Sequence, residues 1–187
     1  MNLALRLFAS VFVIVTLCAG ISRAQQAAEV YTANAIASEA VPGAIYGRIV
    51  MRVASYTTPD EKAKLVEAFK KSSEDGVTAM LPMSTGYLNV EGQDGRKIHA
   101  AFRRDRSDGT HEIILVCEHK ASRLEEWRGT KPADHPLAII QLRFGTDGTP
   151  VYGEIFPAVK LTITPEGFPD VKTDNSNQIK LYDIAKR

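Results

Sequence analysis

The chain has 187 residues and carries 23 Lys and Arg against 22 Asp and Glu, a formal net charge of +1. That balance leaves no long-range field to gather nucleic acid or an anionic membrane surface. Two cysteines, Cys18 and Cys117, are too few for a disulfide-stapled scaffold.

Arg6 makes a short positive start, and Leu7 to Gly20 is apolar apart from Ser10 and Thr16. Ser22-Arg23-Ala24 then sets small side chains at −3 and −1, which predicts a signal peptide over 1–24 with cleavage after Ala24. The apolar run of 14 residues falls short of the roughly 20 that span a bilayer. No stable membrane span is therefore expected once the leader is gone. The competing reading is a lipoprotein signal at Cys18, but Leu17 stands where lipid attachment wants a small residue. Cleavage removes Arg6 and Arg23, taking the net charge from +1 to −1, and leaves 163 residues with Cys117 as their one cysteine. A chain of that size buries one ordinary core without a disulfide. The lack of an Asn-x-Ser/Thr sequon fits bacterial export, to the periplasm or the cell exterior.

Residues 25–43 are rich in Ala and polar side chains and end at Pro42-Gly43, which reads as a flexible spacer. A single domain is expected over 44–187. It opens with a strand, Ala44 to Tyr56, dense in Ile, Val and Tyr. Thr58-Pro59-Asp60-Glu61 predicts a helix start with a capping box and Pro at the first position. Leu65, Val66 and Phe69 share its inner face, with Lys62, Lys64, Glu67, Lys70 and Lys71 outward. Glu74-Asp75-Gly76 is expected to interrupt it, giving one helix or a bent pair that stops before Pro82.

Strands follow from Gly86 to Val90, Lys97 to Arg106 and His111 to His119. Taking Asp108-Gly109 as a two-residue turn sets Phe102 opposite Leu115 and Ala100 opposite Cys117. Ile98, Ala100, Phe102, Ile113, Leu115 and Cys117 then share the core face. His99, Arg103, Asp105, Glu112 and Glu118 line the other, with Ile114 and Val116 among them. Residues 121–136 form a polar connector. Leu137 to Phe144 and Val151 to Phe156 are strands around an Asp147-Gly148 turn. Val159 to Thr164 alternates as a half-buried strand, Pro165 to Asn177 is a loop, and Gln178 to Ile184 is the last strand. The fold class is α+β: a curved antiparallel sheet of six to seven strands with a helix or helix pair after the first.

Cys117 and His119 share a strand face at the spacing of a metal pair, but His99, His111 and His135 are not grouped with them. A core-facing Cys117 is an apolar filler rather than a nucleophile. Gly-x-Ser-x-Gly, Ser-x-x-Lys and phosphate-loop patterns do not occur. No catalytic residue, metal site or cofactor is therefore expected. Arg103-Arg104-Asp105-Arg106 reads as a solvated cluster partly paired with Asp108 and Glu112. Trp127 with Arg128 in the connector, and Tyr87 on its strand, are the candidates for contact with a ligand or partner.

Four stretches resemble a family of uncharacterised exported bacterial proteins: Tyr56 to Phe69, Thr85-Gly-Tyr-Leu88, His135 to Arg143 before the Asp147-Gly148 turn, and Ile179 to Ile184. The resemblance runs from Gly47 to the C-terminus. It implies kinship and export, and brings no functional residue with it.

The expectation from these residues is a non-enzymatic binding or accessory domain, with a small apolar ligand or a protein as partner. The alternative is a secreted hydrolase using carboxylates such as Glu112, Glu118, Asp134 or Glu154 brought together by the fold.

Overall fold

The computed structural model describes residues 27–37, 45–91, 94–118, 137–157, 159–171 and 178–187. The elements in order are β1 (Glu29–Ala37), β2 (Ile45–Val53), α1 (Pro59–Lys71), α2 (Ser73–Met80), β3 (Gly86–Val90), β4 (Arg96–Asp105), β5 (His111–Glu118), β6 (Leu137–Phe144), β7 (Pro150–Phe156), β8 (Leu161–Ile163), β9 (Pro169–Val171) and β10 (Ile179–Lys186). The class is α+β, but the sheet is not open. Strands β1 to β7 follow one another antiparallel, and β10 returns between β7 and β1 to close an eight-stranded barrel. Closure leaves the sheet without exposed edges. The small β8–β9 pair forms a second sheet.

The stretch expected as a spacer contributes β1, which pairs with β2 on one side and β10 on the other. Tyr31, Ala33 and Ala35 point into the barrel and are fully buried. Alanine is a weak strand former, yet its small side chain suits the crowded interior of an eight-stranded barrel.

The interior is one contiguous apolar cluster that includes Ile49, Met51, Leu88, Ile113, Leu115, Cys117, Leu142 and Phe144. A second cluster lies outside the barrel. There Leu65 of α1 and Met80 of α2 pack on Ala100, Phe102, Ile114, Val116 and Ile139 of β4 to β6, with Leu161 of β8 beside them. These central strands are therefore buried on both faces.

Thr58 caps α1 as expected: its hydroxyl accepts from the Glu61 amide at 3.3 Å, and Glu61 accepts from the Thr58 amide at 2.8 Å. Thr57 ties that start to β4, donating to the Ala101 carbonyl at 2.7 Å and accepting from the Ala101 amide at 3.2 Å. The helix breaks at Ser72, two residues before the expected interruption at Glu74-Asp75-Gly76, which is itself helical. Ser72 both ends α1 and caps α2, accepting from the Asp75 amide at 3.0 Å. Lys62 does not point outward; its Nζ lies 4.3 Å from the centre of the Phe168 ring.

The hairpin register differs from the expected one by a residue. Phe102 sits opposite Ile114, and Ala100 opposite Val116. The loop has three residues, Ser107 to Gly109: the Gly109 amide bonds the Arg106 carbonyl at 3.1 Å and the Arg106 amide bonds the Thr110 carbonyl at 2.9 Å. Gly109, at φ +81°, takes the left-handed position that closes such a loop. Gly148 repeats the arrangement at φ +77°. Asp108 and Asp147 each accept from the amide, at 2.9 Å, and the hydroxyl of the threonine two residues on.

A bulge between Ile98 and Ala100 reverses the alternation of β4. Ile98 and Ala101 face the barrel interior, while Ala100 and Phe102 face the helices. Residues 165–177, expected as loop, include β9. Among the described residues no helix is long and apolar enough to cross a membrane.

Candidate functional site

The barrel's outer face across β4 to β7 carries rows of cross-strand neighbours. Register sets Arg104, Glu112, Arg143 and Tyr152 in one row, and Phe102, Ile114, Gln141 and Glu154 in the next. The helices cover the apolar end of this face, leaving the polar rows beside β9.

Glu112 is the centre of the polar rows. It is 1 % exposed, so its charge must be compensated on the spot. Arg104 donates from Nε at 3.0 Å and Nη2 at 2.5 Å to one carboxylate oxygen. Arg106 Nη2 at 2.5 Å and Gln141 Nε2 at 3.2 Å donate to the other. Burial alone pushes the Glu112 carboxyl upward, but the two guanidinium groups outweigh it and hold it below its ordinary value. The group is a fixed anion with every lone-pair direction in use.

Beside this network lies a cleft of about 200 Å³ between the barrel wall and β9. Its floor is Ile114, Ile139 and Phe156; Arg104, Gln141, Asp170 and Gln178 supply its polar groups. The four polar groups come from four separate stretches of chain. Arg104 and Gln141 belong at once to the cleft and to the Glu112 network, so the same bonds that neutralise Glu112 hold two cleft side chains in place.

A second polar cluster sits at one end of the barrel. Glu29 accepts from Tyr31 Oη at 2.5 Å, from Lys186 Nζ at 2.8 Å and from the Tyr56 hydroxyl. Burial raises the Glu29 carboxyl, and the three donors more than reverse that, bringing it to about 2. Burial and the hydrogen bonds to Glu29 push both phenols upward. His111 stacks on Phe144 at the same end, with ring centres 4.8 Å apart. The cluster joins β1, β10 and the chain just past β2, and is a closure of the barrel.

The residues singled out from sequence fall differently. Tyr87 is 52 % exposed on the outer face of β3, its ring lying across Gly95, and it does not line the cleft. Ala24, Cys18, His119, Trp127, Arg128, Asp134 and His135 lie outside the described residues. Of the four acids, Glu112 and Glu154 stand on either side of Gln141: Glu154 is its direct cross-strand neighbour and accepts a hydrogen bond from Tyr152. Glu118 is at the far end of β5. Cys117 faces the interior, where burial pushes its thiol up to about 12. His99 is not on an exposed face; it is 4 % exposed. Of the Arg103–Arg106 cluster, Arg104 and Arg106 pair with Glu112 as expected, but that acid is buried rather than solvated; Arg103 pairs instead with Asp105 at 3.1 Å, and Asp108 with Arg143 at 3.7 Å.

Gln141, Asp170 and Gln178 were not legible as site residues. The one available signal was Gln141 itself, a lone amide in the apolar run of β6.

Comparison with family models, with characterised proteins and with solved structures gives no match to this chain.

Proposed function

We propose that this protein is an exported, non-enzymatic binding domain of the periplasm or cell exterior, and that it holds a small polar ligand in the cleft between β5–β7 and β9. The leader pattern of residues 1–24 supports export. The observation that carries the binding reading is the union of the cleft with a buried, fully paired charge network through Arg104 and Gln141. A buried ion cluster is a weak source of stability, whereas rigid, pre-oriented donors are what a specific polar site requires.

The cleft supports a different ligand from the apolar one expected from sequence. An apolar guest belongs inside the barrel, where Ile, Leu, Met and Ala side chains already form a contiguous cluster. Hydrolysis is less well supported. It needs a carboxyl that can give up a proton near neutrality, and Glu112 is held anionic by Arg104 and Arg106.

Amide chemical-shift mapping with a library of small polar compounds (sugars, amino acids, hydroxy acids) tests the reading. A specific ligand should move Gln141, Asp170 and Gln178 together, and Gln141→Leu should weaken it at least tenfold. Shifts confined to the barrel interior, or none at all from any polar class, would overturn it.

A further inference from the structure

Arg104 on the barrel wall and Asp170 on β9 line the same cleft. Among the described residues they form no ion pair with each other, and none joins Asp170 to any cation. Two opposite charges thus border one small space without meeting across it. Arg104 is held in place from two directions. Its Nε and Nη2 go to Glu112, and the Phe168 ring centre lies 5.5 Å from its guanidinium carbon. Nη1 takes no part in the Glu112 pairing and carries two donor hydrogens.

The two charged borders differ in their balance. Arg104 and Arg106 share the single carboxylate of Glu112, so that cluster keeps an excess positive charge. Glu166 also feels Arg104, but from an exposed position where water and salt screen it. On the other border Asp170 is an exposed acid. Gln141 adds an acceptor, because its Nε2 is turned to Glu112 and the carbonyl Oε1 is the end it offers. The floor of Ile114, Ile139 and Phe156 has no polar side-chain atom. A volume of about 200 Å³ is below the roughly 300–1,000 Å³ of pockets for drug-sized molecules, so the occupant has few heavy atoms.

We propose that the ligand is a zwitterionic amino acid with an apolar side chain: Arg104 Nη1 takes its carboxylate, Asp170 and Gln141 Oε1 take its ammonium, and its side chain rests on Ile114, Ile139 and Phe156. This rests on the reading of the cleft as a binding site and adds the chemistry of what fills it. A neutral sugar would leave both charges unmatched and set hydroxyls on an apolar floor. A plain carboxylate would meet Asp170 as a like charge, so the cleft selects against a ligand without the ammonium.

Titration calorimetry of the full mature chain at pH 6.5, where an α-amino group is charged, tests this with L-leucine, L-valine and L-phenylalanine, each beside its N-acetyl and its carboxamide derivative. At least one of the amino acids should bind, and about tenfold or more tighter than either of its own derivatives, the scale of a hydrogen bond to a charged group. Asp170 is exposed, and Thr162 bonds its main-chain oxygen, so Asp170→Asn should fold as the wild type does. That variant should weaken the amino acid and leave the N-acetyl derivative no weaker. An amino acid that binds no better than its derivatives, or a variant that weakens both alike, would overturn the proposal. Glucose or lactate moving the Gln141 and Asp170 amides while no amino acid binds would overturn it as well, and would leave the cleft a binding site. If no compound of any class moves those amides, the binding reading falls with it.

Discussion

Lys186 and Glu29 lie 157 positions apart in sequence and meet at 2.8 Å, joining the last strand of the barrel to the first. The bond is more than a surface ion pair, because the same carboxylate also takes the hydroxyls of Tyr31 and Tyr56. Three donors from three stretches of chain converge where β1, β10 and the exit from β2 come together. The barrel is closed at this end by side chains as well as by strand pairing.

Glu29→Gln should accordingly lower stability at neutral pH by up to about 3 kcal/mol, the scale set by its shift from 4.5 to about 2. The wild-type contribution is complete above the unfolded value near 4.5 and is lost as the pH falls through about 2. Urea denaturation between pH 7 and pH 2 should thus show a steeper acid decline for the wild type than for the variant. Parallel curves would mean that Glu29 is not the group involved.

Gly86 starts β3, and a Cβ there would lie 2.1 Å from the main-chain oxygen of Arg52 on β2. A backbone atom cannot turn aside as a side chain does, so the strands would have to part. Gly86→Ala is expected to cost about 2 kcal/mol, within the range for overpacking. Thermal unfolding of the purified variant is the measurement.

Cys117 offers a probe that needs no substitution. Its thiol is fully buried in the barrel interior and pushed up to about 12, so at pH 8 it should react with a thiol reagent only when the barrel opens. Labelling should then follow global unfolding, and its rate should rise with urea in step with loss of secondary structure. Fast labelling in native buffer would show that this strand opens on its own.

Much of this architecture could be read from local chemistry. Thr58, Pro59 and Glu61 announce α1 without help from the rest of the chain, and Asp-Gly pairs mark both long hairpins. What local chemistry hides is parity. A third residue in the Ser107–Gly109 loop and an extra one at His99 each reverse which side chains face inward. Ala33 and Ala35 hide β1 for the opposite reason: they carry no strand signal, and only the space inside a closed barrel explains them. The cleft is a tertiary product. Arg104 and Glu112 stand out in sequence as charges, but their burial depends on Gln141 and β9 arriving from elsewhere.

The Glu112 network yields the sharpest separation of stability from binding. Removing one partner of a buried ion pair strands the other, which typically costs about 3–5 kcal/mol. Arg104 and Arg106 are each about a third exposed and can turn partly to water, so Glu112→Gln should fall at the lower end, about 3 kcal/mol. Replacing Glu112 and Arg104 together with apolar side chains of similar size removes the buried carboxylate and its desolvation, and leaves Arg106, about a third exposed, to turn to water. The double variant Glu112→Leu, Arg104→Met should therefore regain most of that loss in a denaturant titration. It should nevertheless bind no polar ligand, because Arg104 has left the cleft and Gln141 has lost the carboxylate that orients it. A double variant as stable as the wild type and still binding would assign the network to folding alone.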